Sequence, residues 1–137
     1  MIYNCALTVD CVVFSGDSVV LIKRKNPPFQ GQYALPGGFV EENESVEFAC
    51  AREAHEETNL DLKNLIFIGA FSAPERDPRG RVVSFAFFAE ADLSQLKAGD
   101  DASHVEIKKD WQNVEIAFDH KKIIEEAVKI RNEHRLQ

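Results

Sequence analysis

The sequence predicts an α+β fold, a mixed β-sheet held between helices as an α/β/α sandwich. Two observations carry that expectation. Apolar and β-branched runs of strand length recur between residues 7 and 91, whereas 45–58 and 118–135 contain no Gly or Pro and place their apolar residues at helical spacing. These elements interleave without a strict βαβ rhythm, which argues for a mixed sheet with helices on both faces.

Each element has its own local reason. Residues 7–14 and 19–22 are mostly apolar and β-branched, and Ser15-Gly16-Asp17-Ser18 between them reads as a tight turn. The consecutive prolines Pro27 and Pro28 end the second strand because they cannot donate to a ladder. A short apolar segment, Tyr33-Ala34-Leu35, is expected to stop at Pro36-Gly37-Gly38 and to resume at Phe39-Val40-Glu41. Ser45 is placed as an N-cap with Glu47 in the first turn, and Asn59 suits the left-handed residue that closes a helix. Strands are expected over 62–72 and 82–91, flanking a loop at 73–81. The stretch 92–103 reads as polar and irregular, with room for a short helical turn. The second helix carries Ile123, Ile124, Ala127, Val128 and Arg131 at helical spacing, with Asp119 near its start.

Length and composition bound the function. A chain of 137 residues, 45% hydrophobic and 28% charged, suits one soluble domain over 1–137. A net charge of −7 argues against a sequence-independent hold on nucleic acid, which depends on Lys and Arg neutralising phosphates. Three cysteines, Cys5, Cys11 and Cys50, have spacings that suit neither a zinc site nor a disulfide framework, so Cys11 and Cys50 are expected to be plain core residues. No export signal or membrane-spanning run is visible, and a cytoplasmic setting follows as an expectation.

The first helix holds the chemistry. At about 100° per residue, Glu56 and Glu57 fall within roughly 60° of Glu53, so three carboxylates share one face. Val46, Ala49 and Cys50 precede them on the same stripe, so an inward apolar seam turns acidic toward its end. Like charges so placed repel, and a hard divalent cation with oxygen ligands removes the cost. Spacing alone fits a solvated acidic face equally well.

The surrounding residues decide between them. Gly38, Glu44, Arg52, Glu53, Glu56, Glu57 and Leu60 stand in register over 23 positions, and this stretch resembles the Nudix box, G-x5-E-x7-R-E-U-x-E-E-x-G-U with U a bulky aliphatic residue. Asn59 stands where that pattern has Gly, and Ala54 where it has a larger aliphatic residue. The resemblance implies the Nudix fold and hydrolysis of a diphosphate bond with Mg²⁺, Mn²⁺ being an alternative cation. It implies Glu56 and Glu57 as metal ligands, Glu53 as a further ligand or general base, and the Gly38 carbonyl as an added ligand. It also implies that Arg52 pairs with Glu44 and orients the glutamates.

The loop Pro74-Glu75-Arg76-Asp77-Pro78-Arg79-Gly80-Arg81 has three arginines in six residues; on its residues alone it reads first as a solvated hairpin loop, and as a candidate phosphate clamp second. Its Arg-Asp-Pro-Arg-Gly segment resembles a Nudix subgroup similar to ADP-ribose pyrophosphatases. So do Thr8-Val9-Asp10, the run Ala34 to Glu41, Ala98-Gly99-Asp100-Asp101-Ala102 and Phe118-Asp119-His120. The subgroup implies conversion of ADP-ribose to AMP and ribose 5-phosphate, with Arg76, Arg79 and Arg81 on the substrate. It also implies a homodimer. Tyr3, Phe29 and Tyr33 are candidate surfaces for a nucleobase. Asp100, Asp101 and Glu106 are further candidates for the base, and His120 is expected to be a structural hydrogen-bonding residue. Two other readings stay open: a nucleoside triphosphate pyrophosphatase, and a non-catalytic domain that senses ADP-ribose.

Overall fold

The computed structural model describes residues 4–97 and 102–136. Its centre is β1 (Ala6–Ser15), which runs parallel to β6 (Val82–Glu90) and antiparallel to β2 (Ser18–Arg24). Outward from these, β3 (Tyr33–Ala34) and β7 (Ala102–Lys108) pair with β2, and β5 (Ile66–Phe71) pairs with β6. One parallel pair among antiparallel ones makes the sheet mixed, as the interleaving of elements predicts.

β1 and β2 touch only at their turn, where Phe14 faces Val19 and Ser15 faces Ser18. Further back they part, and β4 (Gly37–Phe39) lies against Thr8, Val9 and Asp10 of β1. That insertion corrects the expectation that Pro36-Gly37-Gly38 interrupts a strand resumed by Phe39. The glycines themselves form the strand, because a Cβ at Gly37 would overlap the Val9 carbonyl oxygen. β7 likewise departs from the expectation of an irregular stretch up to residue 103, since it starts at Ala102.

Strand alternation sorts the core into two layers. Val12, Phe14, Leu21, Ala86 and Phe88 face α2 (His120–Arg135) and meet Ile123, Ile124 and Ala127. Val9, Cys11, Val13, Val20 and Phe87 face α1 (Val46–Thr58) and meet Ala49, Cys50 and Ala54. Helices therefore cover both faces, and the predicted sandwich is borne out.

The caps of α1 are those its sequence asks for. The Ser45 side chain accepts from the Phe48 N–H, and Asn59 adopts φ 64° with its N–H on the His55 carbonyl. α2 starts two residues later than predicted, because Phe118 has φ 55° and Asp119 sits outside helical geometry without capping the helix. Cys11 and Cys50, expected to be plain core residues, have Cα atoms 6.2 Å apart and sulfurs paired as a disulfide. Packing of α1 on β1 brings together two residues 39 apart in sequence, which spacing alone could not show. No helix among the described residues is long and apolar enough to cross a membrane.

Candidate active site

Where β1 and β2 separate, a groove opens, formed by two adjoining cavities of about 110 and 350 Å³. Arg24, Gly37, Gly38 and Phe39 line both cavities. One end is acidic and the other is built from arginine and aromatic side chains.

The acidic end comes from α1. Cys50, Ala54 and Glu57 continue one buried stripe, so Glu57 is carried into the interior with only 3% of its surface exposed. Its carboxylate accepts from the Gly37 N–H at 2.9 Å. Glu53 lies one turn earlier and its carboxylate contacts that of Glu57. Burial pushes the Glu53 carboxyl above its usual range, and the Glu56 charge adds to this against the opposing Arg52. A Cβ at Gly38 would lie 2.6 Å from the Glu53 carboxylate, so only glycine lets the backbone approach it. Glu56 is exposed at the rim.

Arg52 ties this end together. Its guanidinium donates to Glu44 at 2.6 and 2.9 Å, to Glu53 at 2.8 Å, to Glu56 at 3.2 Å and to the Phe39 carbonyl at 3.1 Å. The Glu44 carboxyl is held down to about 2 by the Arg52 hydrogen bonds.

The opposite end is set by β1, the 73–81 loop and the start of α2. Asp10 points to the α2 side, buried, with Ser84 donating to it and His120 Nε2 3.1 Å away. Burial alone would raise the Asp10 carboxyl, but His120, Ser84 and Arg76 together lower it. His120 Nδ1 accepts from the Leu35 N–H, which leaves the Nε2 proton facing Asp10 and gives His120 the structural role expected of it. Arg76 is buried and forms a two-pronged pair with Asp119 at 2.6 and 2.9 Å. Arg79 is held by Asp77 at 2.7 and 3.0 Å, and its guanidinium lies 5.1 Å from the Phe39 ring and 5.6 Å from the Phe118 ring.

Sequence reasoning missed Arg24, which closes β2 and lies 5.0 Å over the Phe118 ring. Its charge is opposed by burial and by Arg79, and favoured by Asp77, Glu57 and Asp10. It therefore stands between the two ends. A basic residue at a strand end before Pro27-Pro28 was the only signal, and it is a common one.

The remaining candidates are dispersed. Phe29 does not line the groove but packs edge-on against Phe118, 4.7 Å between ring centres. Arg81 is exposed on a neighbouring surface cavity that also includes Phe39 and Arg79. Tyr33 packs on the α2 side of the sheet, where its hydroxyl donates to Glu106. Glu106 is therefore across the sheet from the α1 carboxylates. Tyr3, Asp100 and Asp101 lie outside the described residues.

Among the described residues, no group of three His, Cys, Asp or Glu side chains is arranged to hold a metal ion. The donor set nevertheless fits a hard cation. Two hydrogen-bonded carboxylates beside a glycine backbone supply only oxygen ligands, the donor type a hard cation takes. Glu53, Glu56 and Glu57, with the Gly38 carbonyl, are the residues that would hold it.

The NUDIX domain model matches residues 6–131, and the chain belongs to this family as a Nudix hydrolase. Among curated proteins it is 47% identical to the ADP-ribose pyrophosphatase of Methanocaldococcus jannaschii over 128 residues, 93% of this chain and 75% of that protein. The NUDIX domain of Shewanella oneidensis NrtR, solved with ADP ribose, superposes with a TM-score of 0.86 at 30% identity, over 99% of this chain and 91% of that one. A bifunctional NMN adenylyltransferase/ADP ribose pyrophosphatase of Francisella tularensis, solved with AMP and a Mn ion, gives 0.82 at 29% identity. There the match spans 92% of this chain but 42% of the other, under half its length.

Proposed function

We propose that this enzyme hydrolyses ADP-ribose to AMP and ribose 5-phosphate with Mg²⁺ or Mn²⁺. The observation that carries the reading is the continuity of the groove, in which Arg24, Gly37, Gly38 and Phe39 join the carboxylate end to the arginine and aromatic end. A diphosphate flanked by two sugars is a ligand of that pattern. Similarity to an ADP-ribose pyrophosphatase, at 47% identity, supports the choice of substrate.

In this reading Glu56, Glu57 and the Gly38 carbonyl hold the cation, and Glu53 completes its shell or takes the proton from the attacking water. The cation supplies a more acidic water and neutralises diphosphate oxygens. Arg52 and Glu44 keep the glutamates in place. Arg24 and Arg79 face the phosphates, while Phe39 and Phe118 offer ring faces toward the nucleobase. Arg76, committed to Asp119, shapes the floor and does not form a free clamp. The ligand is a free nucleotide, not a strand of nucleic acid.

Purified protein with Mg²⁺ should release AMP from ADP-ribose, and Glu57→Gln should lose at least about 100-fold in turnover, roughly 2.7 kcal/mol of barrier lowering. Release of pyrophosphate from nucleoside triphosphates in preference to AMP from ADP-ribose would replace the substrate assignment. A second reading, an ADP-ribose-sensing domain, draws on the similar NrtR domain solved with that ligand. ADP-ribose binding without AMP release in either metal would select it.

A further inference from the structure

A separate cavity of about 300 Å³ opens between β5, the end of β6 and the last turns of α2, and shares no lining residue with the groove. Its walls carry Lys63, Arg131, His134 and Arg135 around the apolar side chains of Ile66 and Phe88. In a chain with 16 Lys and Arg against 23 Asp and Glu, three cations in one cavity run against the overall balance. The single carboxylate lining it, Glu90, is engaged by Arg135 at 2.8 Å. Lys63 has no ion pair among the described residues.

Arg131 is a buried cation with an unmet donor. It is 6% exposed, so nearly all of it is withdrawn from solvent. Its Nη1 donates to the Gly16 carbonyl at 2.6 Å, and its guanidinium stacks 3.8 Å over the Phe14 ring. Asp17 approaches no closer than 3.9 Å, and the Nε–H has no acceptor. A buried donor left unpaired is costly and uncommon. Burial and the neighbouring Arg135 work against the Arg131 charge while Glu90 and Asp17 favour it, so an anion in the cavity would add to the favourable side.

We propose that this cavity is an anion site that takes the phosphate group of a small phosphorylated molecule, away from the catalytic groove. Lys63, Arg131 and Arg135 supply the charge, and phosphate oxygens would share the Arg135 guanidinium with Glu90. Ile66 and Phe88 give the ligand's carbon skeleton an apolar wall, which free phosphate would not need.

The test is a titration of metal-free, ¹⁵N-labelled protein with inorganic phosphate, beside sodium chloride at matched ionic strength. Amides of Lys63, Asn64 and Arg135 should shift and saturate with phosphate and not with chloride. Both side chains that are replaced in Lys63→Gln/Arg135→Gln are exposed, so the fold is retained. That variant should bind at least about tenfold more weakly and release AMP at the unaltered rate. Ribose 5-phosphate should bind more tightly than inorganic phosphate because of the apolar wall. Shifts confined to groove residues such as Arg24 and Arg79, shifts reproduced by chloride, or equal affinity in the variant would each overturn the site. Weaker binding of the sugar phosphate would overturn the assignment to a phosphorylated organic molecule.

Discussion

Single side chains in the groove are held by contacts that each forbid a substitution. Gly38 is the sharpest case, because a Cβ there would lie 2.6 Å from the Glu53 carboxylate. Gly38→Ala must push Glu53 aside, and turnover should fall about 10- to 100-fold while the melting temperature changes little. An unaltered kcat would show that Glu53 does not need its present position. Arg52 organises four partners, and the Glu44 pair gives it a pH signature. The Glu44 carboxyl titrates at about 2 when folded against an ordinary 4.5, so the pair's contribution to stability is fully present above about 4.5. It is lost as pH falls from there through about 2. The stability gap between wild type and Glu44→Gln, measured by denaturant unfolding, should therefore narrow with acidification over that window. A gap that stays constant there would rule out the pair as its source.

Elements set the geometry in which those side chains meet. α1 is amphipathic in an unusual sense: its buried stripe runs from Ala49 and Cys50 through Ala54 to Glu57, so one helix both anchors the core and delivers a carboxylate inward. Its register depends on its ends. Ser45→Ala removes the bond from the Phe48 N–H and should cost about 1 kcal/mol in unfolding free energy, measured in urea. A loss below a few tenths would mean that packing on β1 alone sets where the helix begins. The helix was legible in advance because cap, period and C-terminal Asn are all local signals. β4 and β7 were not, since a Gly-rich strand and a strand with charged residues take their identity from the neighbours they pair with.

The molecule as a whole is a sandwich whose central strands part at one end, and the groove occupies that opening. A cation held there by Glu53, Glu56 and Glu57 would bind the folded chain in preference to the unfolded one and so stabilise it. Mg²⁺ or Mn²⁺ should raise the melting temperature, and saturation at about 100 times Kd corresponds to roughly 2.7 kcal/mol. Differential scanning fluorimetry against metal concentration would read this, and Glu57→Gln should abolish most of the shift. Equal shifts in both proteins would place the cation elsewhere.

Taken alone, the order of residues determined the mixed sandwich, the extent of α1, the acidic face and the Nudix likeness, because periodicity, caps and a spaced motif are all written within a few turns of chain. It also singled out Arg76, Arg79 and Arg81 without being able to say which guanidinium is buried and which stays exposed. Tertiary structure decided that Arg76 is consumed by Asp119, that Arg24 stands between the two ends of the groove, and that Glu106 faces away from the glutamates. The reason is physical. Pairing, burial and sidedness belong to residues tens of positions apart, and only the folded sheet brings them within hydrogen-bonding distance.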